Sequence, residues 1–384
     1  MVDVVAAVAT AKGEPFRIEQ LQLDEPREDE VLVRIVGTGV CHTDLICRDQ
    51  WYPVPLPAVL GHEGSGIVER VGSRVRKVKP GDHVVLSFVA CGSCRACIQG
   101  APAYCATLYD LNFSGFRPDG STGLHGAGGP IHGHFFGQSS FASHALAFER
   151  NVVKVPDDAP LELLGPLGCG IQTGAGAVLN TLHPRAGTSI VVFGVGSVGM
   201  AALMAARVAG CTTIIGVDLK PGRLALAREL GATHTIDPTT ADSVEAIRDI
   251  TGGGADFSLE TTASPTVFRQ AVDCLAQRGV CGLIGAAALG TEVSLDMNTV
   301  LFGRTVRGVI EGDSVPDIFI PQLVELLRQG RFPLDRLVTE YQLSEINEAA
   351  EASLSGAAVK PVLRVPVAGE NGLAKPRATA VSAS

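Results

Sequence analysis

The sequence has no run of basic residues and no basic patch interleaved with aromatics, and its formal net charge is −9. This argues against nucleic acid as the main partner, because phosphate backbones are held by clustered lysine and arginine. It argues equally against an anionic membrane surface. No apolar stretch reaches the roughly 20 residues that a spanning helix needs. Met1 to Pro15 lacks the basic region, apolar core and small-residue cleavage site of a secretory signal. A cytoplasmic protein with reduced thiols is expected. No internal repeat is found beyond an alternation of strand-like and helix-like segments. The 384 residues have the length of about two domains.

Cysteine is present, and it is unevenly placed. Cys91, Cys94, Cys97 and Cys105 lie within fifteen residues, spaced C-x2-C-x2-C-x7-C. A tight turn brings residues i and i+3 side by side, and a fourth thiol can close a tetrahedron around a soft metal. Disulfides would need an oxidising compartment. The ferredoxin pattern continues with a three-residue gap and a proline, whereas here the gap is seven residues and Ala106 follows. Zinc is therefore favoured. The isolated Cys47, Cys211, Cys274 and Cys281 read as small buried hydrophobes.

Up to about residue 155 the chain reads as short strands and turns, with strands at Val31–Val36, Gly66–Val71 and His83–Phe88. The texture then changes. Ser189–Phe193 is a short, wholly apolar strand, followed by Gly194-Val195-Gly196-Ser197-Val198-Gly199, a helical run Met200–Ala209, and a strand Thr213–Val217 ending at Asp218. A G-x-G-x-x-G alone is weak, but one that follows a strand, opens a helix and precedes an acid nineteen residues on is a dinucleotide site. Gly194 serves the tight turn, Gly196 the approach of a pyrophosphate, and Gly199 close helix–strand packing, with the helix N-terminus facing the phosphates. Asp218 would accept the ribose hydroxyls and repel a 2′-phosphate, which favours NAD over NADP. Arg223, and Gly285 in the loop after a strand Val280–Ile284, join the same cofactor set. A Rossmann-like scaffold without a dinucleotide is the plainer alternative. A further strand is expected at Asp256–Glu260 and a helix at Ile318–Gln329. Tyr341–Leu354 should return to the first half, and 366–384 reads as a flexible tail.

Three residues outside the cluster stand out: Cys41 before His42-Thr43-Asp44, His62 in Gly61-His62-Glu63-Gly64-Ser65-Gly66, and Cys169 in Leu167-Gly168-Cys169-Gly170. Two thiols and an imidazole give three zinc ligands and leave a fourth position open. Singly, each would be an ordinary core residue.

The stretch Gly61-His62-Glu63-x-x-Gly66-x5-Gly72-x2-Val75 resembles the signature of the zinc-containing alcohol dehydrogenases of the medium-chain dehydrogenase/reductase family. The four-cysteine lobe, Cys169 and the glycine loop follow in that family's order, over about residues 5–365. The resemblance implies a GroES-like β-rich catalytic domain (1–170 and 308–365) with an inserted Rossmann doubly wound parallel-sheet domain (171–307). It implies two zinc ions per chain. One would be catalytic on Cys41, His62 and Cys169, with Glu63 tuning it from behind; one would be structural on Cys91, Cys94, Cys97 and Cys105. Thr43 would relay the alcohol proton, and Thr173 and Val198 would press the nicotinamide toward the zinc. His42 would bind the pyrophosphate, with Lys360 as a second phosphate contact. Asp44 reads as a helix cap with no chemistry. The family's animal and yeast members carry a histidine where this chain has Ile46, so the proton exit differs.

Within the family, His134-Phe135-Phe136-Gly137-Gln138-Ser139-Ser140-Phe141-Ala142 is similar to the bacterial aryl (benzyl) alcohol dehydrogenases. Trp51, Tyr52, Phe135 and Phe136 would line a pocket for a flat apolar alcohol, against the alternative that they are core. Oxidation of a benzyl-type primary alcohol with NAD is expected, in a homodimer or homotetramer. Allylic terpenoid alcohols such as geraniol, or ω-hydroxy acids, are the alternative substrates. A glutathione-dependent formaldehyde dehydrogenase fits the aromatics less well. A non-catalytic zinc-ribbon module on a nucleotide sensor would hold one zinc rather than two. Histidine loses its charge near neutrality where arginine does not. If His42 holds the pyrophosphate, NADH should therefore dissociate more readily as pH rises from about 6 to 9; a flat titration by fluorescence would count against that role.

Overall fold

The computed structural model describes residues 1–365; the expected tail at 366–384 lies outside them. Three sheets organise the chain. A five-stranded sheet runs in the order Ala58–Val59, Val2–Ala9, Arg17–Leu23, Leu124–Gly126, Gly129–Ile131. A seven-stranded sheet is centred on the long strand Glu30–Gly39, which pairs antiparallel with Gly64–Val71, His144–Phe148 and the C-terminal strand Lys360–Arg364. Together these two form the GroES-like β half-barrel. Their shared core contains Val33, Ile35, Leu60, Phe135 and Phe141.

The third sheet has six parallel strands in the order His234–Ile236, Thr213–Val217, Ser189–Phe193, Ala255–Glu260, Leu275–Leu283, Thr305–Gly308. This is the doubly wound order, first strand central and the run reversing beside it. The strands Ser189–Phe193 and Thr213–Val217 stand where the sequence places them. The expected strand at 280–284 begins earlier, at Leu275. Ile190 and Val192 face one core cluster, Val191 and Phe193 the other, which is why this strand is apolar throughout. Helix Ser197–Ala209 covers the first of these faces with Met200, Ala201, Leu203, Met204 and Ala205.

After Thr305–Gly308 the βα alternation ends. Helix Pro316–Arg328, with proline in its first turn, packs Phe319, Ile320, Leu323 and Val324 into the second core. The chain then passes through strand Val338–Gln342 and helix Ile346–Ser355 to Lys360–Arg364, and so rejoins the first half. Cys47, Cys211, Cys274 and Cys281 are all buried.

The central strand and its helix sit unusually close. A methyl group on Gly199 would lie 2.0 Å from the carbonyl oxygen of Gly194, so the helix has no room for a side chain there. Gly199→Ala should cost about 1–3 kcal/mol of stability, the range for overpacking. The check is the urea midpoint, which should fall; an unchanged midpoint would mean the contact yields freely.

Candidate active site

Two groups of metal-ligating side chains form, each with its donor atoms within 4.8 Å of one another: Cys91, Cys94, Cys97, Cys105, and Cys41, His62, Glu63, Cys169. In the first, backbone amides aim at sulfur. Ser93 and Cys94 N–H donate to Cys91 Sγ at 3.4 and 3.2 Å, Cys91 N–H to Cys105 Sγ at 3.2 Å, and Ala106 N–H to Cys94 Sγ at 3.4 Å. The Ser93 and Cys94 amides draw the Cys91 thiol down to about 5, while burial pushes Cys97 up to about 12. Four sulfurs, three of them with amide donors aimed at them, suit a closed tetrahedral zinc site, and no protein-free position is left.

The second group assembles from three distant stretches. Cys41 caps helix His42–Arg48, His62 precedes strand Gly64–Val71, and Cys169 precedes helix Gly170–Gly176. His62 is fully buried. Its Nδ1 lies 2.8 Å from Asp44 Oδ1, and its Nε2 has no partner within the protein. A buried, unpartnered ring nitrogen whose other nitrogen is fixed by a carboxylate is a metal ligand's arrangement. Burial alone would lower the His62 pKa, but the charge and hydrogen bond of Asp44 raise it well above the usual value. The adjacent Cys169 thiol holds Cys41 well below the usual thiol range against the effect of burial, with His62 and Lys360 assisting. Cys169 is pushed up by Cys41 and by burial. A soft, partly anionic donor set of this kind fits zinc.

Several sequence-based assignments are revised. Asp44 does cap its helix, with Oδ2 accepting Cys41 N–H at 3.0 Å, but its other oxygen orients His62 and accepts Gly61 N–H at 3.1 Å. Lys360, expected on a phosphate, is 1 % exposed, with Nζ 2.9 Å from both Glu63 carboxylate oxygens. A buried ammonium requires such a counter-charge, so its charge is already matched. Trp51, expected in a pocket, is 62 % exposed. The helix has ended by Asp49, and Gln50 at φ +60° turns the chain outward. Thr43 Oγ1 stands 3.8 Å from Cys41 Sγ.

Phe136 stacks on His62 with centroids 4.4 Å apart, and Phe135 meets it edge-on at 5.5 Å. The row continues through Phe113 (5.1 Å from Phe136) to Tyr109 and Tyr52 at 4.8 and 6.2 Å. Phe113 and Tyr109 lay in a segment with no motif to mark them. Glu311 was also missed. It is buried, with Oε1 3.5 Å from Cys169 Sγ and Oε2 accepting from Gln172 at 3.1 Å, and burial pushes its carboxyl up to about 7.

A cleft of about 740 Å³ opens at the carboxyl ends of the parallel strands, where the strand order reverses. Gly194, Gly196, Val198, Gly199, Asp218 and Arg223 line it, with His42 and Lys360 on the opposite side. Gly194 takes φ +85°, the turn expected of it. A methyl on Gly196 would meet nothing nearer than Arg223 at 4.0 Å, so the space that a pyrophosphate would fill is open. Asp218 accepts Val195 N–H and Lys220 N–H, both at 2.9 Å. Thr173 and Gly285 stand apart from this lining. Thr173 lies in the first turn of the helix that Cys169 precedes, its N–H donating to Cys169 O at 2.9 Å, and Gly285 N–H donates to Glu260 O at 3.1 Å.

A half-barrel carrying one closed and one open soft-metal site, joined to a dinucleotide fold, defines a zinc- and NAD-dependent oxidoreductase. The alcohol dehydrogenase GroES-like domain model matches residues 27–157 and the zinc-binding dehydrogenase model residues 197–329. A geraniol dehydrogenase of Castellaniella defragrans is 51% identical over 361 residues, covering 93% of this chain and 96% of its own length. Among solved structures, an alcohol dehydrogenase zinc-binding domain protein from Burkholderia ambifaria matches with a TM-score of 0.94 at 60% identity, over 95% of this chain and 100% of that one. The benzyl alcohol dehydrogenase of Acinetobacter calcoaceticus matches with a TM-score of 0.93 at 51% identity, over the same shares. The chain belongs to the zinc-binding alcohol dehydrogenases of the medium-chain dehydrogenase/reductase family and oxidises an alcohol to an aldehyde with zinc and NAD. Among the described residues, no helix is long and apolar enough to cross a membrane.

Asp44→Asn would keep the shape of the His62 partner and remove its charge. Zinc affinity at the open site should fall about 10- to 100-fold, measured by competition with a chromogenic chelator. Loss of zinc from the four-cysteine site instead would contradict the assignment.

Proposed function

We propose that the substrate is a primary alcohol whose carbinol carbon adjoins an sp2 carbon, of the allylic terpenoid type that geraniol represents. The row of rings leading to His62 carries this reading, because flat unsaturated chains pack well between aromatic faces. The likeness to a geraniol dehydrogenase over nearly the whole chain supports the allylic form and moves it ahead of the benzylic one expected from sequence. Benzylic alcohols are the second reading, supported by the likeness to benzyl alcohol dehydrogenase.

In this reading Cys41, His62 and Cys169 hold the catalytic zinc with Glu63 behind them, and Cys91, Cys94, Cys97 and Cys105 hold the structural one. Bound there, the metal supplies Lewis acidity that favours the alkoxide form of the alcohol near neutral pH. NAD supplies the hydride acceptor. Thr43 Oγ1, close to Cys41, accepts the alcohol proton and passes its own toward the nicotinamide ribose. Ile46 offers no onward acceptor. Phe135 and Phe136 orient the substrate and exclude water, and Thr173 and Val198 support the nicotinamide ring. His42 and the helix N-terminus at Ser197 bind the pyrophosphate, and Asp218 and Arg223 face the adenosine ribose. The domain limits 1–170 with 308–365, and 171–307, belong to the same proposal. So does assembly of a cytoplasmic homodimer or homotetramer. The edge strand Thr305–Gly308, with Phe302, Val306 and Ile310 exposed around it, supports self-association.

The test is a turnover panel of geraniol, benzyl alcohol and 6-hydroxyhexanoate with NAD and with NADP. kcat/KM for the first two should exceed the third by at least about tenfold, and NAD should exceed NADP by a similar margin. Geraniol should lead. A preference for the hydroxy acid would overturn the reading.

A further inference from the structure

We propose that Tyr52 is the specificity-determining gate of the alcohol site. Its hydroxyl, donated to the Ala287 carbonyl at 3.0 Å, holds the 285–291 loop across the outer end of the aromatic row and limits the length of alcohol admitted. This rests on the reading that the row is where the alcohol lies.

The row is graded in exposure. His62 is fully buried, Phe136 is 6 % exposed, Phe113 is half-buried and Tyr109 is 51 % exposed. It is thus a continuous band of packed rings from the surface to the metal donors, and Tyr52 packs on it against Phe113. The loop that Tyr52 touches belongs to the other half of the molecule. It follows strand Leu275–Leu283, at the carboxyl edge of the parallel sheet where the dinucleotide cleft opens. The base of the loop is tied by Ile284 and Gly285 N–H to Glu260 O, and its far end by Arg269 to Ser294 O. Between these ties lie residues 286–293, of which 286–291 read Ala-Ala-Ala-Leu-Gly-Thr, with Leu289 82 % exposed. Residues 286–291 make one internal contact pair, Thr291 to Ala288 O. Among the described residues, their one hydrogen bond outside the loop is the one from Tyr52.

Small side chains give this loop almost no apolar anchor, so a single neutral hydrogen bond decides where it rests. Such a bond shifts an equilibrium by only a few-fold. That strength suits a gate, which must close over each alcohol and open for each aldehyde; a buried ion pair in its place would lock the site.

Tyr52→Phe removes the bond and keeps the ring. In the zinc- and NAD-loaded enzyme, amide exchange at Thr291 and at Gly285, the hydrogen-bonded amides of the loop and its base, should rise about fivefold, with two zinc ions per chain retained. The ratio of kcat/KM for an alcohol one isoprene unit longer than geraniol to that for geraniol should rise by a similar factor. Tyr52→Ala, which also removes the ring, should raise that ratio at least as much. Either readout staying at its unaltered value in Tyr52→Phe overturns the gate, and so does an exchange increase spread over the whole chain. If the unaltered enzyme oxidises neither alcohol, the substrate reading has failed separately. The gate is then read on straight-chain primary alcohols of increasing length, where an unchanged length preference in Tyr52→Phe overturns it.

Discussion

The ion pair between Glu63 and Lys360 is the knot on which the open metal site depends. Lys360 Nζ reaches both Glu63 oxygens at 2.9 Å and also donates to Val40 O at 3.4 Å; Glu63 Oε1 accepts Gly170 N–H at 3.1 Å. Val40, Glu63 and Gly170 are the immediate neighbours of Cys41, His62 and Cys169. One buried pair therefore touches all three stretches that supply the donors, and it anchors them to the C-terminal strand Lys360–Arg364. Removing one partner would leave an uncompensated buried charge, a loss of about 3–5 kcal/mol. The surrounding backbone allows no slack: a methyl on Gly39 would fall 1.9 Å from Glu63 Oε2, and one on Gly165 2.1 Å from Glu63 O.

Electrostatics explains why this pair must be accompanied by others. Two thiols, three buried carboxyls (Asp44, Glu63, Glu311) and one buried ammonium lie around a single point. Each acid is assigned a distinct partner: Asp44 the ring of His62, Glu63 the ammonium of Lys360, Glu311 the amide of Gln172. Burial raises the carboxyl pKa of Glu63 against the opposing pull of Lys360, and it raises that of Glu311 to about 7. A divalent cation placed among the thiols supplies the positive charge that the donor set lacks. The site is thus built around its metal, in a pocket whose second layer is as specific as its first.

What was legible in sequence follows from whether the signal is local. Ser189–Phe193 and Thr213–Val217 could be read to the residue because a strand buried on both faces must be apolar at every position. Gly194 and Gly199 were legible because the turn and the close packing are fixed within six residues. Asp44 was half legible: its capping role is local, but its bond to His62 spans eighteen residues and exists only in the folded chain. Lys360 could be placed at the cleft but not given its partner, 297 residues away. Trp51 was misplaced because a single turn residue decides on which side of the helix end it falls. Glu311 carried no signal at all, since one acid between a strand and a helix looks like any surface loop.

The position of Glu311 also gives the closed four-cysteine lobe a structural role beyond its own fold. The turn carrying Glu311 has three successive residues in the left-handed region, Glu311, Gly312 and Asp313, and two of them are not glycine. Such a turn persists only where its surroundings over-determine it. From inside, Gly312 packs so tightly on helix Gly170–Gly176 that a methyl there would lie 2.3 Å from Gln172 O, and Asn180 donates to Gly312 O at 3.1 Å. From outside, Tyr104, the residue before Cys105, donates its hydroxyl to Asp313 at 2.6 Å and approaches Gly308 O at 3.1 Å, while Arg307 holds the other Asp313 oxygen at 2.6 Å. The lobe is therefore braced against the turn that reaches Cys169. The four cysteines fix Tyr104, Tyr104 fixes Asp313, and two residues earlier the same turn places Glu311 beside the open metal site. A metal that takes no part in the chemistry thereby helps hold the shape of the site that does.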